Sequence, residues 1–309
     1  MLIYFYRKLF QRIYSMYDQL KIEQLGKILP SDIKVIIDND PALLKNADVV
    51  VIDLPIIHYF MSEDEIFEKQ EGQIWVAWNL ECDKNYPWIF KDEVKNFFDI
   101  WMTYHPDADI FLPYFTYEYK YSLFNPIQKK DSDKRVCMFV SSSINKSSRL
   151  EYIEELMKYV NVHSYGKWMQ NHKIINDKGY TSKMEIISKY KFTIAFENAC
   201  DDDYVTEKFY EPLLSGSVPV YLGASNIDKY SPGHNSFINV IDFNSPKELA
   251  DVINELCEDE KKYNNYFDWK NHPLLDDFMQ LLETQKIHPF IRLAESVQRL
   301  KDKILCGPN

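Results

Sequence analysis

Four apolar runs, DIKVIID (32–38), ADVVVIDLP (47–55), GQIWVAWNLE (72–81) and FDIWMTYHP (98–106), each close in polar or turn residues. Long segments separate them, some helical in pattern. Runs this uniformly apolar read as strands buried on both faces, and parallel neighbours need long crossover connections. A chain written in this βαβ grammar folds as α/β around mostly parallel sheets. The pattern halts at NPIQKKDSDKR (125–135), a polar stretch without apolar periodicity, and then restarts. RVCMFVSS, VNVHSYG, KFTIAFEN, VPVYLG and FINVIDF read as strands. SSRLEYIEELMKYV reads as a helix with Ser147 or Ser148 as N-cap, SKMEIISKY as a second, and SPKELADVINELCE as a third opened by a Ser-Pro cap. VTEKFYEPLLSG is a further helix, ended by Gly216 and kinked or shortened at Pro212. The expected organisation is an N-terminal α/β domain (1–125), a C-terminal one (126–275) and a helical tail (276–309) with the option of packing back on the first. A cleft between two such domains is a common place for a ligand.

Composition narrows the ligand. The 309 residues carry a net charge of −11, which speaks against duplex nucleic acid, since its binders neutralise phosphates with basic faces. Only eight glycines are present, so a phosphate site built on a glycine-rich loop is disfavoured, and an anionic ligand must rely on a few local cations. The five cysteines, Cys82, Cys137, Cys200, Cys257 and Cys306, lack the CxxC spacing of a zinc site or redox motif, and their odd count and wide separation point to reduced thiols in a cytoplasm, with a pairing of two of them left open. No run approaches the roughly 18 apolar residues of a membrane span. The start, MLIYFYRKLFQRIYSMYDQLK, lacks the apolar core of a signal peptide and reads as an amphipathic first element, leaving peripheral contact with the inner membrane face open.

The densest chemistry lies in FENACDDDYVTEKFYEPLLSG (196–216). KFTIAFEN runs out of a strand into polar residues, at the edge where open α/β sheets bind ligands. Thr206 can cap a helix whose first turn holds Glu207 and Lys208. A helix N-terminus suits a phosphate, and Lys208 with Arg149, near the start of an earlier helix, would complete a diphosphate pocket. The bland alternative is a capping Glu207 and a surface Lys208. Asp201, Asp202 and Asp203 invite a metal, but three adjacent carboxylates cannot all face one ion, and a solvated turn explains them better; no metal site is expected. In the first half, Glu81 stands just past a buried strand and could act as a general base, or be an exposed strand-end carboxylate. His58, His105, His163 and His172 lack ligand spacing and read as structural or surface residues.

The block YKFTIAFENACDDDYVTEKFYEPLLSGSVPVYLG (190–223) closely resembles the donor-binding signature of the α1,3/4-fucosyltransferases. YSPGHNSFINVIDFNSPKELADVI follows it as in that family. VAWNLECD resembles the segment with the general base, TYHPDADIFLPYF the one after it, and SSSINKSSRLEYIEEL the stretch with the donor arginine. The resemblance implies a GT-B fold, two Rossmann-like domains facing a cleft. It implies an inverting enzyme that moves L-fucose from GDP-fucose to O3 of GlcNAc or Glc in a β-galactoside such as N-acetyllactosamine or lactose. By position, Glu81 matches the base. Arg149 and Lys208 match the diphosphate cations, and Asn198, Tyr204 and Glu207 match residues lining the donor. Glu197 sits in the same block, while Val205 and Thr206 shape the backbone and cap. Glu207 would either stabilise charge on the sugar or hold the ribose. No cofactor or essential divalent metal is implied. The chain shows neither the membrane anchor and paired cysteines of animal members nor the heptad tail of some bacterial ones, which points to a compact cytoplasmic enzyme of bacterial type. Lewis-type glycans and glycoproteins are the expected product class, while the linkage (α1,3, α1,4 or α1,2), acceptor and oligomeric state stay open. The competing readings are a transferase of the same fold with another nucleotide sugar, and a catalytically silent nucleotide-sugar-binding protein.

Overall fold

A computed structural model describes residues 1–6, 29–38, 40–55, 68–131, 133 and 135–306. It divides into two compact units, Met1–Pro113 with Thr284–Asn309, and Tyr114–Glu283.

The first unit is built on a parallel sheet of order β2-β1-β3-β4-β5-β6. Its strands are β1 (Leu2–Tyr6), β2 (Lys34–Asp38), β3 (Val49–Asp53), β4 (Ile74–Asn79), β5 (Ile100–Thr103) and β6 (Ile110–Phe111). The start of the chain is therefore a central strand, which corrects the amphipathic first element expected there; residues 7–28, the rest of that stretch, lie outside the described residues. The reason is that both faces of LIYFY are used. Ile3 and Phe5 join Val49, Val51, Ile74 and Val76 on one side, and Tyr4 and Tyr6 join Val50, Ile52, Trp75 and Ala77 on the other. This two-residue alternation puts aromatics on each face and hides the usual apolar-in, polar-out signal.

The second unit carries a parallel sheet of order β11-β10-β9-β7-β8, with β7 (Val136–Met138), β8 (Val162–Ser164), β9 (Phe192–Phe196), β10 (Val218–Leu222) and β11 (Ile238–Asn239). Its longer helices are α1 (Arg149–Leu156), α2 (Tyr180–Ile187), α3 (Glu207–Ser215), α4 (Pro246–Glu258) and α5 (Asp276–Glu283). Ile153 and Leu156 of α1 and Leu249, Ala250, Ile253 and Leu256 of α4 bury one face of the sheet against Val136, Val162, Phe192 and Val218. Gly216 ends α3 in the left-handed conformation at φ 70°, and Pro212 is accommodated inside the helix. FINVIDF is shorter as a strand than expected: after Asn239 the chain turns into a 3-10 helix over Val240–Asp242. Ser148 holds the N-cap position of α1 at φ 54° but its side chain caps nothing; Asn145 Oδ1 accepts from the Leu150 N–H at 3.0 Å instead.

The boundary between the units falls at Pro113/Tyr114, twelve residues before the end of the expected first domain. The physical reason is aromatic. Phe115 packs on Tyr210 of α3 and Phe278 of α5, with ring centroids 4.9 and 5.4 Å apart, and so belongs to the second core. The tail divides for the same reason. Helix α5 stays with the second unit, and α6 (Pro289–Cys306) buries Phe290, Leu293 and Val297 against the first sheet. Cys82, Cys137, Cys200 and Cys257 are free thiols. Among the described residues no helix is long and apolar enough to cross a membrane.

Candidate active site

In a doubly wound sheet the ligand crevice opens where the strand order reverses, outside the carboxyl ends of the strands. In the second unit that point lies between β7 and β9. The chain leaving β7 reaches Arg149, and the chain leaving β9 runs through Glu197 and Asn198 to Lys208. Two loops therefore place the expected donor residues at one edge. Gly166, after β8, lets this edge close: a Cβ there would stand 2.1 Å from the Val140 carbonyl oxygen.

Glu197 is the pin of the second loop. It is fully buried, and its two oxygens accept from the Thr206 N–H (2.8 Å) and the Thr206 hydroxyl (2.9 Å). Lys208 Nζ stands 3.2 Å from the same carboxylate and 3.2 Å from Glu207 Oε1, and it donates to Thr206 Oγ1 at 2.9 Å. Thr206 in turn caps α3, accepting from the Lys208 N–H at 3.4 Å. Burial pushes the Glu197 carboxyl up, against the pull of Lys208. Burial pushes Glu207 the same way, but Lys208 and Lys183 more than offset it and hold that carboxyl below its ordinary value. Burial opposes the Lys208 ammonium, and Glu197 and Glu207 outweigh it, so its affinity for the proton rises. Glu197 thus faces inward, as a clamp on the loop. Glu207 and Lys208 keep 19% and 27% of their side chains exposed at the first turn of α3.

Arg149 is only 1% exposed. Its guanidinium donates to the carbonyls of Phe196 (3.0 Å), Ser142 (3.2 Å) and Ile144 (3.3 Å), while its buried Nε–H has no partner among the described residues. Burial lowers its pKa. Among the described residues it makes no ion pair, so it is a buried cation with a donor to spare. Asn198 is held through its carbonyl, which accepts from the Ser147 N–H at 3.2 Å. Tyr204 and Val205 are buried, Tyr204 edge-on to Tyr114 at 6.2 Å.

The acidic loop is braced. Asp203, at φ 65°, accepts from Asn226 Nδ2 and the Tyr230 hydroxyl, both at 2.7 Å, and Asp202 accepts from Ser225. In the first unit Glu81 follows β4, its N–H donating to Asn79 Oδ1 at 3.0 Å. Beside it Asp83 pairs with His105 at 2.7 Å.

Two family models match the chain. One, described as the fucosyltransferase N-terminal region, covers residues 16–115, and the other, the C-terminal region of glycosyltransferase family 10 (fucosyltransferase), covers residues 127–305. The chain belongs to the family 10 fucosyltransferases. Family 10 relatives include 4-galactosyl-N-acetylglucosaminide 3-alpha-L-fucosyltransferase 9 of Rattus norvegicus, 38% identical over 200 residues, which are 64% of this chain and 53% of that protein. The Homo sapiens enzyme of the same name is 37% identical over the same shares. The chain spans about half the length of these curated relatives. A crystal structure of an alpha1,3-fucosyltransferase with GDP superposes with a TM-score of 0.61 at 18% identity, covering 96% of this chain and 90% of that one. The fold of this family 10 member is accordingly GT-B, with two Rossmann-like domains.

Sequence reasoning missed the residues that act through others. Asp83 and His105 are 22 positions apart, Asn145 caps from an unexpected place, and Lys183 of α2 forms an ion pair with buried Glu211 of α3. The pairing of β4 with β5 and the packing of α2 on α3 bring the first and last of these pairs together, while the Asn145 cap is local to its own loop.

Proposed function

We propose that this family 10 member is an inverting α1,3-fucosyltransferase that transfers L-fucose from GDP-fucose to O3 of GlcNAc or Glc in a β-galactoside acceptor. The observation that carries the reading is the buried guanidinium of Arg149, which makes no ion pair among the described residues, beside the Lys208 end of α3. A buried cation hydrogen-bonded only to carbonyls gains from an anionic partner, and the N-terminal end of α3 adds the positive end of its helix dipole. That donor set suits a diphosphate. The names of the relatives, which describe 3-alpha-L-fucosyl transfer to galactosylated N-acetylglucosamine, support L-fucose as the sugar moved and this acceptor class.

Glu81 is the general base. It removes the proton from the acceptor O3 hydroxyl as that oxygen attacks C1 of fucose. The bond from C1 to the β-phosphate oxygen breaks, GDP departs with the electron pair, and C1 inverts from β to α. Arg149 and Lys208 take up the charge growing on the diphosphate, so the step requires no divalent metal. Asn198 and Tyr204 line the donor, and Thr206, Val205 and Glu197 hold the loop that presents them. Glu207, anionic at the first turn of α3, faces either the ribose or the positive charge developing on the sugar.

The test is GDP release from GDP-fucose in EDTA, with and without N-acetyllactosamine or lactose. Acceptor-dependent release, with a fucosylated product by mass, is the expected result. Absence of any GDP-fucose binding overturns the reading. Release that EDTA abolishes overturns the metal-free mechanism.

A further inference from the structure

Resting on the assignment of Glu81 as general base, we propose that Asp83 and His105 form a positioning pair that fixes the direction in which Asn79, and through it Glu81, faces. Asn79 ends β4 with its side chain fully buried. Its Oδ1 accepts from the Glu81 N–H at 3.0 Å, an Asx turn that sets the backbone of the base-bearing residue. Its Nδ2 donates to Asp83 Oδ1 at 3.2 Å. The second oxygen of Asp83 meets His105 Nε2 at 2.7 Å, and the Asp83 N–H donates to the Tyr104 hydroxyl at 3.1 Å. Tyr104 is buried, and its ring lies 4.2 Å from that of His105.

The logic rests on hydrogen-bond polarity. A buried amide can satisfy its neighbours in either of two orientations, with carbonyl and NH2 exchanged. An ionised carboxylate only accepts, so Asp83 admits only the NH2 end of Asn79. The carbonyl end is then committed to the Glu81 N–H. His105 donates from Nε2 to the other oxygen and so holds Asp83 in place with a charge-assisted bond. The alternation His105–Asp83–Asn79–Glu81 has one consistent direction, and it ties the end of β4 to the chain leaving β5. Neither Asp83 nor His105 is required to touch the substrate; their effect passes through Asn79.

Two substitutions break the chain at different links. H105A removes the donor, and D83N keeps the shape of Asp83 while letting it donate as well as accept, so that Asn79 can turn over. Both are expected to lower kcat by roughly ten- to a hundredfold, the scale of a misplaced reacting group, while the KM for GDP-fucose and the Kd for GDP stay at wild-type values. H105Q, whose amide NH2 can stand where Nε2 stood, is expected to recover most of kcat. The double variant H105A/D83N should be no worse than the poorer single one, because both act through the same amide. The proposal is overturned if wild type and E81Q behave as the base assignment demands and D83N or H105A nevertheless turns over at the wild-type rate. Loss of GDP affinity in step with kcat, or additive losses in the double variant, also overturns it. A wild-type enzyme without transfer, or an active E81Q, is a different failure, since it strikes the reading on which the pair depends. If H105A does not fold, the D83N and H105Q comparison decides alone.

Discussion

Lys208 carries two duties that one substitution can separate. Its ammonium stands 3.2 Å from fully buried Glu197 and 3.2 Å from Glu207, and it is also a partly exposed cation at the start of α3. Lys208→Met removes the charge and keeps the aliphatic stem. Breaking one partner out of a buried ion pair costs about 3–5 kcal/mol, because the other charge is left unpaired. The deficit has a direction in pH. Burial already raises the Glu197 carboxyl, and without Lys208 its folded-state pKa rises further. A carboxyl whose folded pKa exceeds its unfolded value of about 4.3 loses stability as pH climbs between the two, at about 1.4 kcal/mol per unit. Glu207 works in the same sense: Lys208 holds it below its ordinary value, so the stability it contributes above the unfolded pKa is forfeited in the variant. K208M is therefore expected to unfold in urea close to wild type near pH 4 and to fall progressively behind by pH 8. Adding E197Q removes the stranded carboxylate and should restore most of the urea midpoint. It should not restore affinity for GDP, measured by titration calorimetry, because the cation on the diphosphate is still missing. Equal midpoints for K208M and wild type across the whole pH range would refute the clamp. Wild-type GDP affinity in the double variant would refute the phosphate role.

Glu81→Gln should lower transfer by about a hundred- to ten-thousandfold, the usual contribution of a general base, with GDP affinity retained; near-wild-type turnover removes Glu81 from the mechanism. Gly216→Ala places a Cβ at φ 70° where the nearest atom, on Ile127, is 3.4 Å away, so the cost is conformational alone, about 1–2 kcal/mol of stability in a urea titration. Asp203→Ala strands the Asn226 amide and the Tyr230 hydroxyl; a loss of about 3 kcal/mol is expected, and an unchanged urea midpoint would make the brace dispensable.

Much of this architecture could be read from strand-like runs alone. The runs around Val49, Ile74, Ile100, Val136 and Phe192 are short, apolar on both faces and closed by polar residues, and each became a parallel strand. The reading failed at LIYFY, where tyrosines fill the second face and arginine and lysine follow at once. At Ser148 the position was legible, since it is the N-cap of α1, but the bonding was not: at φ 54° its side chain makes no capping bond, and Asn145 accepts from the Leu150 N–H instead. At the site, position was legible and environment was not. The motif located Glu197 and Arg149, but nothing local says that the Glu197 carboxylate is consumed by Thr206 or that three carbonyls enclose Arg149. Those partners are set by which loops meet at the reversal of strand order, a property of the whole sheet.

The division of the chain has a consequence for how it comes to be folded. The first unit is discontinuous: its strands all lie before Pro113, but the core on one face of its sheet is complete only when α6 seats Phe290, Leu293 and Val297. On a ribosome domains usually fold in order of synthesis, but here the first-made segment must wait for the last. The second unit is contiguous, and its folding draws its own two ends together, Phe115 and Phe278 finishing 5.4 Å apart. The long loop that α6 would otherwise have to close is thereby replaced by a short one, and the entropy of closure grows with loop length. Folding of the contiguous unit thus shortens the closure that the discontinuous one must make, and a chain truncated before Pro289 should keep the second core while leaving the first without its last layer.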